Sequence, residues 1–175
     1  GLHGVGVSCV NALSSLLRAE VHRDGKVYEQ EYCRGKESYP VREIGTSTSN
    51  GTTVEFKPDE QIFETLVFSY DTLADRLREL AFLNQGLTLS LTDERNTVVD
   101  DEGNDQGFVR ETFFSQEGLK DFVTYLDSNR EPLISEVIHV SGERNSVPVE
   151  VAMTYNTSFS ENLFSYVNNI NTYEG

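Results

Sequence analysis

Three glycines open the sequence, at positions 1, 4 and 6 of the segment GLHGVGVSCVNALS, directly before a stretch with helical apolar spacing. Because glycine has no Cβ, this backbone can turn sharply and point several N–H groups at one spot, and a following helix adds a positive dipole end. These features suit an anion, above all a phosphate. The order G-x-x-G-x-G matches neither the Walker A loop nor the Rossmann fingerprint. The spacing alone therefore allows a turn, a packing device or an anion site.

The other residue types that carry chemistry are scattered along the chain. The three histidines, His3, His22 and His139, lie far apart, with His22 at an exposed hairpin position, so they predict no metal site. Ser8 and Ser14 have no linked His and Asp in their sequence context. We interpret both serines as helix residues and not as nucleophiles.

The segment that follows the glycines predicts a helix over about residues 6 to 17. Its apolar residues recur at helical spacing, at Val10, Leu13, Leu16 and Leu17. Cys9 lies inside the same run, where a buried thiol is expected, and it forms no C-x-x-C pair with Cys33. The glycines therefore lie at the N-terminus of this predicted helix.

A β-hairpin is predicted directly after this helix. Ala19 and Val21 alternate with polar residues, Asp24-Gly25 supplies a type I′ turn, and residues 27–33 return as a second strand. One face of the second strand carries Tyr28, Gln30 and Tyr32. We interpret these aromatic residues as part of a sheet face.

Downstream, the pattern predicts further strands and two helices. One helix has its cap at Ser69 or Asp71 and stops at Gly86, and the second carries Leu119 and Phe122 on one face. Strands are expected at residues 39–44, 52–56, 87–91, 108–114, 135–141 and 147–156, with a connector at 45–51. Since strands and helices do not alternate regularly, the fold class is α+β with largely antiparallel or mixed sheets.

The polar stretch at residues 93–107 is the strongest composition shift in the chain. It predicts a domain boundary near residue 107 or, alternatively, a long hairpin. We also expect the 175 residues to be part of a longer protein, because the chain has no initiator Met and its first residue already belongs to a motif.

Charge and hydropathy exclude two classes of partner for the segment by itself. Fourteen basic and twenty-nine acidic residues give a net charge of -15, which repels the phosphate backbone of DNA. No apolar stretch approaches the ~20 residues of a membrane span, and no signal-type segment opens the chain. The two unpaired cysteines fit a reducing compartment, so a cytoplasmic location is predicted.

The full string GLHGVGVSCVNALS resembles the lid segment and following helix of the gyrase B family, the ATPase subunits of bacterial type II DNA topoisomerases. Further matches follow in family order along nearly the whole chain. They are RDGK at 23–26, NGTTVEFKPD at 50–59, LRELAFLNQG at 77–86, EGLKDFVTYL at 117–126, VEVAMTYN at 149–156 and ENLFSYVNNINTYEG at 161–175. The family belongs to the GHKL ATPases, a group that also contains MutL and histidine kinases.

The resemblance implies an ATP site and names its residues by position. Main-chain N–H groups of the lid would wrap the triphosphate, which maps to Gly1, Leu2, His3, Gly4, Val5 and Gly6. Thr52 would hold the adenine through a hydrogen bond, with Val7 and Val54 as apolar walls. Arg23 matches an arginine at the rim, where coumarin inhibitors bind in the family.

The resemblance also implies a fold and a division into domains. Residues 1–107 would be the C-terminal part of a GHKL, or Bergerat-type, ATPase α/β sandwich, with the lid and the adenine-pocket strand. Residues 108–175 would begin a transducer domain with a ribosomal-protein-like βαβ fold. The family's glutamate base, its magnesium-binding asparagine and its adenine-reading aspartate match no motif here, so catalytic residues and Mg²⁺ ligands are expected outside this segment, and we predict that the isolated 175 residues are inactive.

In the implied function, the whole protein is the ATP-binding component of DNA gyrase, which negatively supercoils DNA by double-strand passage. ATP would order the lid and dimerise two gyrase B chains, in a heterotetramer with two gyrase A chains, while DNA contacts fall to other domains. Two alternatives stay open. One is the B-type component of topoisomerase IV, and the other is a non-catalytic interaction module with the same fold.

Overall fold

The computed structural model describes residues 4–172, with the side chain of Asn96 excepted. The chain forms two compact units, the first ending at Val67 and the second beginning at Phe68. All strand pairs are antiparallel, and three helices are present among the described residues. The predicted α+β class is confirmed.

The first unit is built on one antiparallel sheet with a short helix at its start. The sheet has five strands in the order β3-β2-β1-β5, and β4 pairs with β2. Its elements are α1 (Gly6–Ala12), β1 (Ser14–Arg23), β2 (Lys26–Cys33), β3 (Lys36–Glu37), β4 (Arg42–Thr46) and β5 (Gly51–Pro58). The central strand β1 therefore has β2 on one side and β5 on the other.

The hairpin of β1 and β2 confirms the predicted turn. Asp24 and Gly25 have φ values of 54° and 79°, so both central residues occupy the left-handed region that a type I′ turn requires. The register pairs Arg23 with Lys26 and Val21 with Tyr28. Because the turn type matches the twist of the strands, the hairpin is predictable from sequence alone.

The predicted helix over residues 6 to 17 is wrong in its second half. Helix α1 ends at Ala12, and Ser14 is the first residue of β1 and not a helix residue. Leu17 is only 2% exposed and lies between Tyr32 of β2 and Phe56 of β5. A helix of this length is not stable by itself. The free energy gained by burying Leu17 between two strands therefore decides the local structure.

The predicted burial of Cys9 is also wrong. Helix α1 contributes no buried residue to the first unit, and Cys9 and Cys33 are both free and exposed. The apolar spacing that suggested a buried helix face belongs in part to β1. The helix itself therefore covers little of the core.

The other predicted strands of the first unit are present with different limits, and one further short strand occurs. The strand expected at residues 39–44 corresponds to β4, which begins at Arg42, and β3 is the further strand; both pair with β2. The connector expected at 45–51 is shorter, since β4 runs to Thr46 and β5 begins at Gly51. The predicted strand at 52–56 lies wholly within β5.

As far as residue 172, the second unit consists of two helices and three hairpins. Its elements are α2 (Tyr70–Leu83), β6 (Leu89–Val99), β7 (Asp105–Phe113), α3 (Leu119–Leu126), β8 (Ile138–Arg144), β9 (Val147–Met153), β10 (Tyr166–Val167) and β11 (Ile170–Asn171). Helix α2 begins after Ser69, whose hydroxyl accepts a hydrogen bond from the Thr72 N–H, and this confirms one of the two predicted caps. The predicted α3 is confirmed as well.

The core of this unit lies between α2 and the β6–β7 hairpin. Ala74, Ala81 and Phe113 are buried there, and Leu77 and Leu89 pack against them. Around α3, Phe122 stacks on Phe82 with ring centroids 5.2 Å apart. No helix among residues 4–172 is long and apolar enough to cross a membrane.

The polar stretch at residues 93–107 forms the far end of the β6–β7 hairpin. Leu89 pairs with Phe113, and Val99 pairs with Asp105. The long hairpin, one of the two interpretations of this stretch, is therefore confirmed. The compact units divide between Val67 and Phe68, and the functional division into residues 1–107 and 108–175 stays a prediction.

Candidate functional site

The two described glycines of the glycine segment differ in their place in the backbone. Gly4 has a φ of +65°, in the left-handed region, and Gly6 is the first residue of α1. A Cβ built at either glycine would meet nothing within 4 Å, so close packing requires glycine at neither position. Among the described residues, nothing therefore indicates that these two glycines are a packing device. The expected phosphate ligands Gly1, Leu2 and His3 lie outside the described residues.

The first turn of α1 offers main-chain donors without side-chain caps. Val5 is the N-cap residue and makes no side-chain capping hydrogen bond, and the first turn holds no acidic residue. Because α1 has only seven residues instead of the twelve or so expected, its dipole contributes less than the sequence suggested. The case for an anion here depends on the main-chain N–H groups.

Strand register places three predicted site residues on one face of the sheet. Thr52 of β5 pairs with Val21 of β1, and Val54 pairs with Ala19. Since side chains alternate along a strand, Thr52, Val54, Val21 and Ala19 share a face. Arg23 follows Val21 by two residues in β1 and extends the same face. We call this the Thr52 face.

The Thr52 face is open where the adenine is expected. Val54 is 43% exposed, and Val7 of α1 is 60% exposed. Helix α1, which carries Gly6 and Val7, contacts both β1 and β5, the two strands of this face. Apolar side chains exposed next to free main-chain donors can accept a ligand with a flat apolar part and an anionic part.

Arg23 lies at the edge of the Thr52 face. It is the last residue of β1, and its guanidinium is strongly exposed, with Nε 3.3 Å from Asp24 Oδ2. An exposed ion pair of this kind contributes little to stability. The arginine is therefore available to a ligand that reaches the end of the strand.

The opposite face of the same sheet is held by a buried carboxylate. Glu29 of β2 accepts hydrogen bonds from Arg42 Nη2 at 2.7 Å, from Tyr39 Oη at 2.7 Å and from Arg18 Nε at 2.7 Å. The hydrogen bonds from Arg42, Tyr39 and Arg18 hold the pKa of Glu29 at about 2. Three donors from β1, β4 and the loop before it therefore converge on one side chain.

This polar network continues along β1 to the loop before β5. Arg18 also approaches Glu20 at 3.6 Å, and Glu20 Oε1 lies 2.7 Å from His22 Nε2. His22 Nδ1 lies 2.9 Å from Ser47 Oγ. The expectation of an exposed His22 is thus wrong, because the ring is half-buried between two partners. The network braces the sheet from the side opposite to Thr52.

Sequence reasoning missed the partners of the predicted site. Ala19 and Val21 were recognised only as strand residues, and Glu29 was not singled out. The β1–β5 pairing joins residues far apart in sequence, from His22 with Gly51 to Ser14 with Pro58, and no local pattern specifies it. An acidic residue on a predicted strand, directly after the β-forming Tyr28, is the one signal that points to Glu29.

The second unit holds polar clusters with structural roles. Arg78 donates to Glu111 at 2.7 Å and to Asp75 at 2.7 Å, and Ser115 Oγ donates to Asp121 at 2.6 Å beside the start of α3. His139 of β8 pairs with Glu150 at 2.8 Å. Within the described part of the chain, no group of three or more His, Cys, Asp or Glu residues is arranged to hold a metal ion.

Comparison with known proteins gives consistent matches along the whole chain. The family model described as DNA gyrase B matches residues 118–175. The DNA gyrase B protein of Eisenibacter elegans is 55% identical over 175 residues, which are 100% of this chain and 36% of the relative. The protein of the same name from Halalkalibacterium halodurans is 49% identical over 176 residues, covering 100% of this chain and 26% of the relative. The chain thus spans about a third of the length of the first relative.

A solved structure shares the fold. The 43K ATPase domain of Thermus thermophilus gyrase B, determined in complex with an aminocoumarin, superposes with a TM-score of 0.82 at 32% identity. The match covers 97% of this chain and 44% of that one. The mixed fold of helices and antiparallel sheets is therefore that of a gyrase B ATPase domain. From sequence and fold together, these 175 residues belong to the DNA gyrase B family.

Proposed function

We propose that this chain forms the lid and one wall of the ATP site in a gyrase B protein. The observation that supports this most directly is the β1–β5 register, which brings Thr52, Val54 and Arg23 to one open face. Family membership supplies the ligand, since the structural relative is an ATPase domain. A nucleotide accounts for both the free main-chain donors of the lid and the apolar face beside it.

In this proposal each part of the site has one task. N–H groups from Gly1 to Gly6 bind the phosphates, with left-handed Gly4 letting the chain turn toward them. The Thr52 hydroxyl hydrogen-bonds the adenine edge, and Val7 and Val54 cover its faces. Arg23 contacts ligands that extend to the rim, as an aminocoumarin would.

Hydrolysis requires groups from outside these residues. The general base and the ligands of Mg²⁺ lie elsewhere in the whole protein, and Mg²⁺ would neutralise charge on the phosphates there. The segment alone therefore does not turn over ATP. Measurable ATPase activity of the purified 175-residue chain, at a rate proportional to its concentration, would contradict the assignment of the general base and the Mg²⁺ ligands to other parts of the protein.

At the level of the whole enzyme, we propose ATP-dependent negative supercoiling of DNA in the cytoplasm by a heterotetramer of two gyrase A and two gyrase B chains. ATP orders the lid and stabilises a dimer of gyrase B chains, and other domains contact DNA. The net charge of -15 supports the last point, since this segment repels nucleic acid.

Two assays test the proposal. The full-length protein, reconstituted with gyrase A, should supercoil relaxed plasmid when ATP is present. Decatenation without negative supercoiling would instead identify the B-type component of topoisomerase IV, and failure to bind ATP would identify a non-catalytic module. For the lid itself, hydrogen exchange at residues 4–12 should slow when a non-hydrolysable ATP analogue is added to the full-length protein.

A further inference from the structure

The C-terminal end of α1 is fixed by two other parts of the first unit. Leu13, which follows the helix, accepts a hydrogen bond at its carbonyl from the Asp59 N–H at 3.0 Å. The next carbonyl, that of Ser14, accepts from the Arg34 N–H at 3.1 Å. Ser14 is buried, and its hydroxyl donates to the Val10 carbonyl at 2.6 Å. Residues 4–9, in contrast, are exposed.

An ion pair joins the two segments that hold this end. Asp59 is 1% exposed, and its Oδ2 accepts from Arg34 Nε at 2.5 Å. Its Oδ1 accepts from the Gln61 N–H at 3.0 Å and lies 3.3 Å from Arg34 Nη2. A carboxylate removed from water in this way requires its partner, because removal of one member leaves a buried charge unpaired.

The turn that carries Arg34 is shaped to reach α1. Arg34 and Gly35 have φ values of 48° and 77°, so the turn is left-handed at both positions. A Cβ added at Gly35 would lie 3.4 Å from the Cα of Ala12, the last residue of α1. The backbone of this turn thus approaches the helix closely, and a side chain at position 35 would press against it.

We propose that the Arg34–Asp59 ion pair is the clamp that fixes the hinge of the lid helix α1 at Leu13 and Ser14. Arg34 and Asp59 are positioning residues, since they act through the main chain of the hinge and not on the ligand. The inference rests on the proposed role of residues 1–6 as an ATP lid. Because Leu13 and Ser14 follow α1 directly, the hydrogen bonds to their carbonyls fix this end of the helix, and the position of this end decides where the N-terminus of α1 lies.

A loose hinge raises the entropic cost of closing the lid on the phosphates. The bound state then requires ordering of the hinge as well as of the glycine segment, so nucleotide affinity falls. Turnover at saturating ATP changes little, because the residues that react with ATP are untouched. A rise in KM with little change in kcat therefore distinguishes positioning of the lid from a general loss of folded protein, which would lower kcat.

The experiment compares Asp59→Asn and Arg34→Gln in the full-length protein. Without nucleotide, amide exchange at residues 9–13 should accelerate by about tenfold, as expected for loss of one hydrogen bond to a charged group. The Kd of a non-hydrolysable ATP analogue and the KM for ATP should rise by about fivefold or more, the lower end of typical coupling between sites. If either single variant does not fold, the double variant Arg34→Gln/Asp59→Asn carries the test, because it removes the ion pair without leaving a buried charge unpaired.

Lys26→Gln is the matched control. Lys26 Nζ pairs with Glu43 Oε2 at 2.6 Å on the same sheet, at the opposite end of β2 from Arg34. This variant should alter neither α1 exchange nor affinity. If amide exchange in the Arg34 and Asp59 variants accelerates equally in β1, β2, β5 and α1, the proposed role of the ion pair as a clamp is wrong. If wild-type α1 gains no protection from the ATP analogue, the lid assignment fails, while the nucleotide-free exchange of the two variants still decides the clamp.

Discussion

The assignment of Thr52 to the adenine is testable with its own neighbour as the control. Thr52 and Thr53 are adjacent, exposed residues of β5, and they point to opposite faces of the sheet. Thr52 pairs with Val21 on the open face, whereas Thr53 pairs with Glu20 on the face of the Glu29 network. Only the Thr52 hydroxyl is placed to contact a ligand on the Thr52 face.

The expected magnitude follows from one hydrogen bond. A net contribution of about 1 kcal/mol corresponds to a Kd for ATP roughly fivefold weaker in Thr52→Ala. Replacement of a strand threonine by alanine also costs up to about 1 kcal/mol of stability, and this cost should be similar in Thr53→Ala because both residues are exposed. Thr52→Val retains the β-branched shape and removes only the hydroxyl.

Titration calorimetry of the full-length protein with a non-hydrolysable ATP analogue measures these affinities. Thr52→Ala and Thr52→Val should bind more weakly than wild type, and Thr53→Ala should match wild type. An unchanged Kd in both Thr52 variants refutes the adenine assignment. Equal weakening of ATP-analogue binding in Thr52→Ala and Thr53→Ala would show that the effect comes from strand stability. It would refute the assignment of adenine binding to the Thr52 face.

Three further predictions concern the lid, the network and the second core. Gly4→Ala should weaken binding of the ATP analogue, because a left-handed residue with a Cβ costs about 1–2 kcal/mol, whereas Gly103→Ala, at a φ of +84° in a turn of the second unit, should not. The pKa of Glu29, lowered to about 2 from its ordinary 4.5, means that its ion pairs stabilise the fold above pH 4.5 and are lost as the pH falls toward 2. The gap in melting temperature between wild type and Glu29→Gln should therefore narrow over that range, and a constant gap would contradict the role of the charge. Phe122→Ala should lower the free energy of unfolding in urea by about 3–5 kcal/mol, and Tyr125→Ala, at a 46% exposed position of the same helix, by less.

Local signals predicted several elements of this chain correctly. Asp24-Gly25 identified the β1–β2 hairpin because a type I′ turn needs two residues that tolerate positive φ. Ser69 and the leucine spacing identified α2 since a cap and one apolar face both act within a few residues. The helix over residues 6 to 17 was misjudged where the local pattern was ambiguous. Leu16 and Leu17 fit a helix as well as a strand, and the pairing of β1 with β2 and β5 places them in a strand.

The sequence by itself determined the family, the glycine segment and the residue types of the candidate site. These depend on the order of residues along the chain, which is preserved in the matches to gyrase B relatives. Only the tertiary structure decided which residues share a face, where the lid helix ends and what holds its hinge. Each of these depends on contacts between distant segments, such as Thr52 with Val21 or Arg34 with Asp59. The physical reason is that strand register depends on which side chains are buried, and ion pairing depends on the geometry of two distant residues. A local sequence pattern specifies neither.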